Sequence, residues 1–261
     1  MTNRPVAIVT GASGGIGGAT SAVLVREGYR LVLTGLEPEL LDTVARPLAD
    51  GGADIAQFAG DVLDHSLPDR LCELALSRFG RIDALVGGAG TSRPAGFQET
   101  TDEEWDRLVD INLSAAFRLA RQVGRHMMDR GDGGAIVQIS SISYSNGGGN
   151  VAYGAAKAGI VAMCYGMAQT LGRHGVRVNA VAPGVIDTSL VRSNFPGETF
   201  DRLETGASAR TPLGRIGRPQ DVAEVIAFLL SDKAAFITGA VIPITGGIEL
   251  LAPISALPEP A

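Results

Sequence analysis

The apolar positions of this 261-residue chain fall into two alternating rhythms. Short runs dominated by Val, Ile, Leu and Ala read as strands buried on both faces: Val6–Thr10, Arg30–Thr34, Asp54–Ala59, Asp83–Val86, Ala135–Ser140, Val176–Val181 and Ala240–Ile244. Between them, apolar residues recur at helical spacing over Leu40–Ala49, Leu67–Phe79, Tyr153–Arg173 and Pro219–Ser231, the last with Val222, Val225, Ile226 and Leu229 on one face. Thr101 to Glu104 reads as a capping box that opens a further helix carrying Leu108 and Ile111. Strand and helix alternate from end to end, without repeats or a domain boundary. The expected fold is therefore α/β, a doubly wound parallel sheet of about seven strands with helices on both faces, with residues 1–261 as one domain. The pattern loosens from Asp187 to Gly217, where charged residues, Pro196-Gly197 and short apolar patches suit a substrate lid more than core.

Composition acts mainly by exclusion. A chain with 45% hydrophobic and 19% charged residues has enough apolar material for a sizeable core. Its 35 glycines cluster in short groups, which argues for tight loops and against a fibrous or disordered chain. A net charge of −6 and a pI near 5.1 leave no electrostatic footprint for nucleic acid. Cys72 and Cys164 lie in apolar helical patterns without a CxxC or Cys/His cluster, so buried free thiols in a reducing compartment are expected and metal ligation is not. Val6–Thr10 is too short for the apolar region of a signal peptide, and no run reads as long enough to span a bilayer. These features predict a soluble, cytoplasmic protein without membrane or nucleic-acid partners.

The glycine groups sit where ligands would. PVAIVTGASGGIG is a strand breaking into glycines and resuming as a helix through Ala19, Val23 and Leu24. Gly11, Gly15 and Gly17 form GxxxGxG, a variant of the dinucleotide fingerprint of Rossmann-type folds, which lets a pyrophosphate approach the N–H groups of a helix N-terminus. The loop after the second strand should meet the adenosine ribose. Gly35, Leu36 and Glu37 offer no basic group for a 2′-phosphate, and Gly14 offers none either, so the residues favour NAD over NADP. Glu37 serves equally as a cap for the helix beginning near Pro38. Asp61 and Val62, at the end of the third strand, suit bracketing of an adenine ring; the alternative is an N-cap for the helix from Leu67. Gly87-Gly88-Ala89-Gly90 ends the fourth strand with bare backbone.

The centre of the chain carries the chemistry. Tyr153 and Lys157, four apart in YGAAK, leave one face of a helix together. An ammonium beside a phenol favours the phenolate, making the hydroxyl a usable general acid or base. Only Lys157 and Lys233 among the 22 basic residues are lysines, so the choice at 157 is not the chain's default cation. Ser141 follows the fifth strand at its C-terminal end, where open α/β sheets place ligands, and Ser143 is a second candidate nearby. Asn112 interrupts an apolar helical face, to hold a water near the site or to bind helix carbonyls. The loop SISYSNGGGN, rich in turn residues, is expected to be mobile.

Taken together in chain order, these motifs resemble those of the short-chain dehydrogenase/reductase family over essentially the whole sequence. TGASGGIG resembles its cofactor turn, with Gly11, Ser13, Gly15, Ile16 and Gly17 as binding positions. Leu36, Asp61, Val62, Gly88 and Ala89 match its adenosine contacts, and Pro183, Gly184, Ile186 and Thr188 its nicotinamide loop. Asn112, Ser141, Tyr153 and Lys157 match its catalytic set, with Tyr153 and Lys157 also touching the nicotinamide ribose. Pro212 to Asp232 is similar to its penultimate helix region.

The resemblance implies hydride transfer between NAD or NADP and a ketone or secondary alcohol. In that scheme Ser141 and Tyr153 hold the carbonyl oxygen, Tyr153 exchanges its proton, Lys157 lowers the phenol's pKa, and Asn112 anchors a relay water. It also implies a homotetramer. Family members that reduce 3-oxoacyl-carrier-protein thioesters look most similar. Because those usually favour NADP, an NAD-linked sugar, polyol or other alcohol dehydrogenase is an equal contender. A nucleotide-binding scaffold without turnover is the reading of another class, and the intact Ser141, Tyr153 and Lys157 argue against it. The substrate pocket is expected from Thr91–Phe97, Ser143–Val151 and Ser189–Arg210; Arg93 and Arg192 there could steer an anion, although exposed loop arginines are more often simply solvated. Two departures stand out: GGAG replaces the family's NNAG, losing two side-chain amides that tie the sheet centre to the adenosine side, and Asp187 precedes Thr188.

Overall fold

The computed structural model describes residues 4–250. Seven strands form one parallel sheet in the order β3-β2-β1-β4-β5-β6-β7: β1 (Val6–Thr10), β2 (Arg30–Gly35), β3 (Ile55–Ala59), β4 (Ala84–Gly87), β5 (Gly134–Ile139), β6 (Val176–Pro183) and β7 (Val241–Ile244). The order reverses between β1 and β4, which opens a crevice at the strands' C-terminal ends.

Strand periodicity builds the layers. Along β1, Ala7 and Val9 face one core while Val6 and Ile8 face the other. The first face is covered by α1 (Gly15–Arg26), α2 (Pro38–Asp50) and α10 (Pro219–Leu230), through Val23, Leu24, Leu41, Val222 and Ile226. The second is covered by α3 (Leu67–Phe79), α5 (Ala115–Arg130) and α7 (Val151–Leu171), through Leu71, Val123, Met127, Ile160 and Cys164. Cys72 and Cys164 are both buried and unpaired, and burial pushes each thiol up to about 12.

The structure corrects some expectations and adds detail to others. The helix carrying Tyr153 begins two residues earlier, at Val151, because the Asn150 side chain caps it. With the 3-10 turn Gly172–His174 it forms an apolar helix long enough to cross a bilayer, which the sequence reading excluded. Ala152, Ala156, Ile160 and Cys164 bury one face of that helix within the fold. The loop expected to be mobile holds a helical turn, α6 (Ser143–Asn146). The expected lid folds into α8 (Ser189–Asn194) and α9 (Glu198–Arg210) around a small core of Phe200, Ala207 and Ile216. The helix preceding α5 is split: α4 (Asp102–Val109) passes into a π-helical turn over Asp110–Ser114, which contains Asn112.

Candidate active site

The crevice holds two contiguous hollows that share Ile16, Gly88, Gly90, Thr188 and Leu190. The larger, of ≈ 370 Å³, runs over the glycine turn from the end of β2 to the end of β4. Gly11, Ser13, Gly15, Ile16, Gly17, Leu36, Asp61, Val62, Gly88, Ala89 and Thr188 all line it. The smaller, of ≈ 140 Å³, collects Asn112, Ser141, Tyr153, Lys157, Pro183, Gly184 and Ile186, with Leu190 and Val191 of α8 across from them. The positions matched to cofactor binding and to the catalytic set thus all border one hollow or the other, whereas Ser143, Arg93 and Arg192 border neither.

The glycine turn is shaped by what cannot be there. A Cβ at Gly17 would lie 2.1 Å from the Gly11 carbonyl oxygen, and one at Gly11 would lie 2.6 Å from that of Gly88. The backbone of three segments is therefore packed too closely for side chains. Helix α1 starts there with Gly14 as N-cap, without a side-chain cap and without an acidic residue in its first turn. Its leading N–H groups and its dipole suit an anion such as a pyrophosphate. Thr10 fixes the opposite wall: its hydroxyl accepts from Gly88 N and Ala89 N at 3.0 and 3.1 Å and donates to the Val86 carbonyl at 3.3 Å.

At the β2 end, Glu37 occupies the N-cap position of α2 but its side chain makes no capping bond, and Leu36 is 57% exposed. Asp61 does not cap α3; its carboxylate accepts from Leu63 N at 2.9 Å, and Ser66 holds the N-cap position. Arg107 and Ile111 line the same groove; the sequence pattern places Ile111 only on the apolar face of a helix and does not single out Arg107.

At the catalytic end, Asn150 is fully buried and accepts from Ala152 N at 2.8 Å and Tyr153 N at 3.4 Å. Its amide donates to Glu104 at 3.3 Å, joining α7 to α4. An Asn directly before an apolar helical run is an N-cap signature, so this residue was findable. Lys157 is buried, 5% exposed, and donates to the Ile139 carbonyl at 2.9 Å. Its Nζ lies 5.4 Å from the centre of the Tyr153 ring. Burial lowers the Lys157 ammonium to about 8. The expected depression of the phenol is not present in the protein alone. Burial raises Tyr153, outweighing the hydrogen bond with Ser141 that lowers it. The ammonium is itself weakened by desolvation and turned to a backbone carbonyl, so it does not overcome that burial.

Ser141 lines the hollow with Tyr153. The Ser143 hydroxyl lies 3.2 Å from Ser141 Oγ and outside the residues lining either hollow. Asn112 is 1% exposed, donates to the Thr91 and Leu108 carbonyls at 2.9 Å each, and accepts from Thr91 N at 3.2 Å. It therefore binds a helix carbonyl and the Gly90-Thr91 loop together. A Cβ at Gly90 would lie 2.7 Å from Asn112 Oδ1 and 3.4 Å from Lys157 Nζ, so the space beside Gly90 is shared by both groups.

The two candidate arginines resolve differently from each other. Arg192 forms an ion pair with Asp187 at 2.6 and 2.8 Å and stacks 4.0 Å over Phe200, so it is committed to the α8–α9 segment and does not reach for an anion. This also gives Asp187 its role. Arg93 is exposed on the loop after Thr91. Asn194 donates to the Ser92 carbonyl at 3.0 Å, which ties α8 to that loop over the hollow.

The chain is similar to known proteins over almost its whole described length. Residues 11–249 match the family described as enoyl-(acyl carrier protein) reductase. The chain is 41% identical to cis-4-hydroxycyclohexanecarboxylate dehydrogenase of Sinomonas cyclohexanicum, over 93% of this chain and 95% of that one. It is 34% identical to the 3-oxoacyl-[acyl-carrier-protein] reductase FabG of Thermotoga maritima, over 94% and 98%. Among solved structures, levodione reductase superposes with a TM-score of 0.88 at 31% identity, covering 93% of this chain and 96% of that one. A variant of actinorhodin polyketide ketoreductase with NADPH does so with 0.88 at 32%, covering 95% and 98%.

Proposed function

We propose that this chain, which belongs to the short-chain dehydrogenase/reductase family and is an oxidoreductase of keto and CH–OH groups using a nicotinamide cofactor, works with NAD on a compact secondary alcohol or its ketone. The observation that carries the reading is the meeting of Ser141, Tyr153 and Lys157 in one hollow continuous with the glycine-lined groove. A bound nicotinamide supplies the hydride chemistry. The groove's glycine clearances and the uncapped α1 N-terminus suit such a nucleotide.

The chain's own residues orient the substrate and move the proton. Ser141 Oγ and the Tyr153 hydroxyl hold the carbonyl oxygen. Tyr153, kept protonated by its burial, gives that oxygen a proton in the reductive direction. Lys157, lowered to about 8, replaces the proton on the phenol side. Asn112 Oδ1 retains one lone pair, and a water in the space beside Gly90 would touch both it and Lys157 Nζ.

The preference for NAD rests on Leu36 and Glu37, which give a 2′-phosphate no cation and one carboxylate to repel it. The substrate class rests on the apolar wall of Ile139, Ile186, Leu190 and Val191, together with the relative that acts on a hydroxycyclohexanecarboxylate. Reduction of 3-oxoacyl thioesters is the second reading, favoured by the FabG relatives. The α8–α9 segment serves as the lid, and the site is cytoplasmic. A homotetramer is favoured by an apolar groove between α5 and α7, where Phe117, Met128, Met163 and Met167 lie at the surface. Light scattering of the purified protein measures that assembly.

Fluorescence titration with NADH and NADPH, followed by turnover on cyclohexanone carboxylates and on 3-oxoacyl thioesters, tests the reading. Tighter NADH binding with turnover of the cyclic ketones is expected. NADPH preference with thioester turnover would replace it with the second reading.

A further inference from the structure

Gln138 lies in the middle of β5, directly opposite Gly87 across the ladder to β4. It is fully buried, and neither Oε1 nor Nε2 of its amide has a hydrogen-bonding partner among the described residues. A buried amide left without partners is costly enough that native proteins rarely keep one without a use for it. The side chain bends over Gly87. A Cβ at 87 would lie 1.8 Å from Gln138 Oε1 and 2.6 Å from its Cδ. The volume that a side chain on β4 would fill is therefore already taken, by an amide that arrives from β5.

That amide borders a narrow cavity of ≈ 20 Å³, enough for one water, walled also by Thr10, Val62 and Ala89. Val62 and Ala89 are at the same time part of the nucleotide groove, so one layer of side chains separates the Gln138 cavity from the adenosine end of the site.

We propose that Gln138 is a positioning residue for the adenosine half of the cofactor. Its amide, with one enclosed water, braces the wall of Val62 and Ala89 from behind. It does from β5 what a side-chain amide at Gly87 would do from β4, which gives the GGAG sequence a structural partner. The inference rests on the nicotinamide-nucleotide reading of the groove.

The test compares NADH with reduced nicotinamide mononucleotide, which lacks adenosine, in wild type and Gln138→Met. Met keeps the volume and removes the amide. The expected result is a thermal midpoint close to wild type, a Kd for NADH raised about tenfold, and kcat/KM with the mononucleotide unchanged. An unchanged NADH affinity, or equal losses with both nucleotides, would overturn the proposal.

Should Gln138→Met not fold, the transfer variant Gly87→Asn/Gln138→Ala decides. It should fold and bind NADH within a fewfold of wild type, whereas Gly87→Asn alone, which collides with Gln138, should not. Equal behaviour of the single and double variants would contradict the steric exchange. If wild type bound neither NADH nor NADPH, the nucleotide reading itself would fail, and this inference with it.

Discussion

Lys157 gives the sharpest quantitative prediction. Its ammonium is buried behind Tyr153 with the Ile139 carbonyl as its hydrogen-bond partner, and burial lowers it from 10.5 to about 8. Between those values the folded protein has released a proton that the unfolded chain still holds. Stability therefore rises with pH across that window, while below about 8 the full cost of burying the charge is present. The displacement corresponds to roughly 3 kcal/mol in all, of which about 2 kcal/mol is regained between pH 7 and 9.5.

The perturbation is Lys157→Met, which keeps the apolar stem and removes the titration. Loss of the donor to Ile139 shifts the variant's stability by a constant, so the pH dependence of the difference isolates the ammonium. Urea unfolding of both proteins at one concentration, from pH 7 to 9.5, should show wild type gaining about 2 kcal/mol on the variant. A difference that stays flat across this range would refute the buried-ammonium account.

Further predictions follow from other contacts. Asn150→Ala removes the cap that accepts from Ala152 N and Tyr153 N and should cost about 1 kcal/mol in unfolding free energy, with loss of kcat greater than loss of nucleotide affinity. Gly90→Ala places a methyl group 2.7 Å from Asn112 Oδ1 and should lower kcat at least tenfold, read in steady-state kinetics, while the melting midpoint moves little. Leu36→Arg/Glu37→Ser supplies a cation and removes a carboxylate, and should shift the ratio of NADH to NADPH affinities toward NADPH by roughly tenfold or more in fluorescence titrations.

The sequence made the frame legible because strands such as Val6–Thr10 are continuous apolar runs and helices such as Pro219–Leu230 carry a one-sided apolar stripe. Gly11, Gly17, Ser141, Tyr153 and Lys157 were also visible, since their spacing carries chemistry that few other arrangements explain. What escaped depended on contacts between distant segments. Gln138 and Gly87 are 51 positions apart and meet only through the β4–β5 register. Arg192 looks free in sequence, but Asp187 and Phe200 claim it once α8 forms. The 187–217 stretch reads as loose because its helices bury only a few residues in a small core of their own, too few to leave a periodic stripe. The direction of the Tyr153 shift was missed for a related reason. Spacing shows that an ammonium is near, and only the fold shows that both groups are buried.

The central claim is that Tyr153 moves the proton in a reaction whose hydride chemistry belongs to the nucleotide. Single-turnover reduction of a ketone by NADH, in wild type and Tyr153→Phe, measures it directly. The account predicts a Kd for NADH that stays within a fewfold of wild type and a reduction rate lower by roughly 10²–10⁴-fold in the variant. A variant that reduces the ketone at close to the wild-type rate would contradict it.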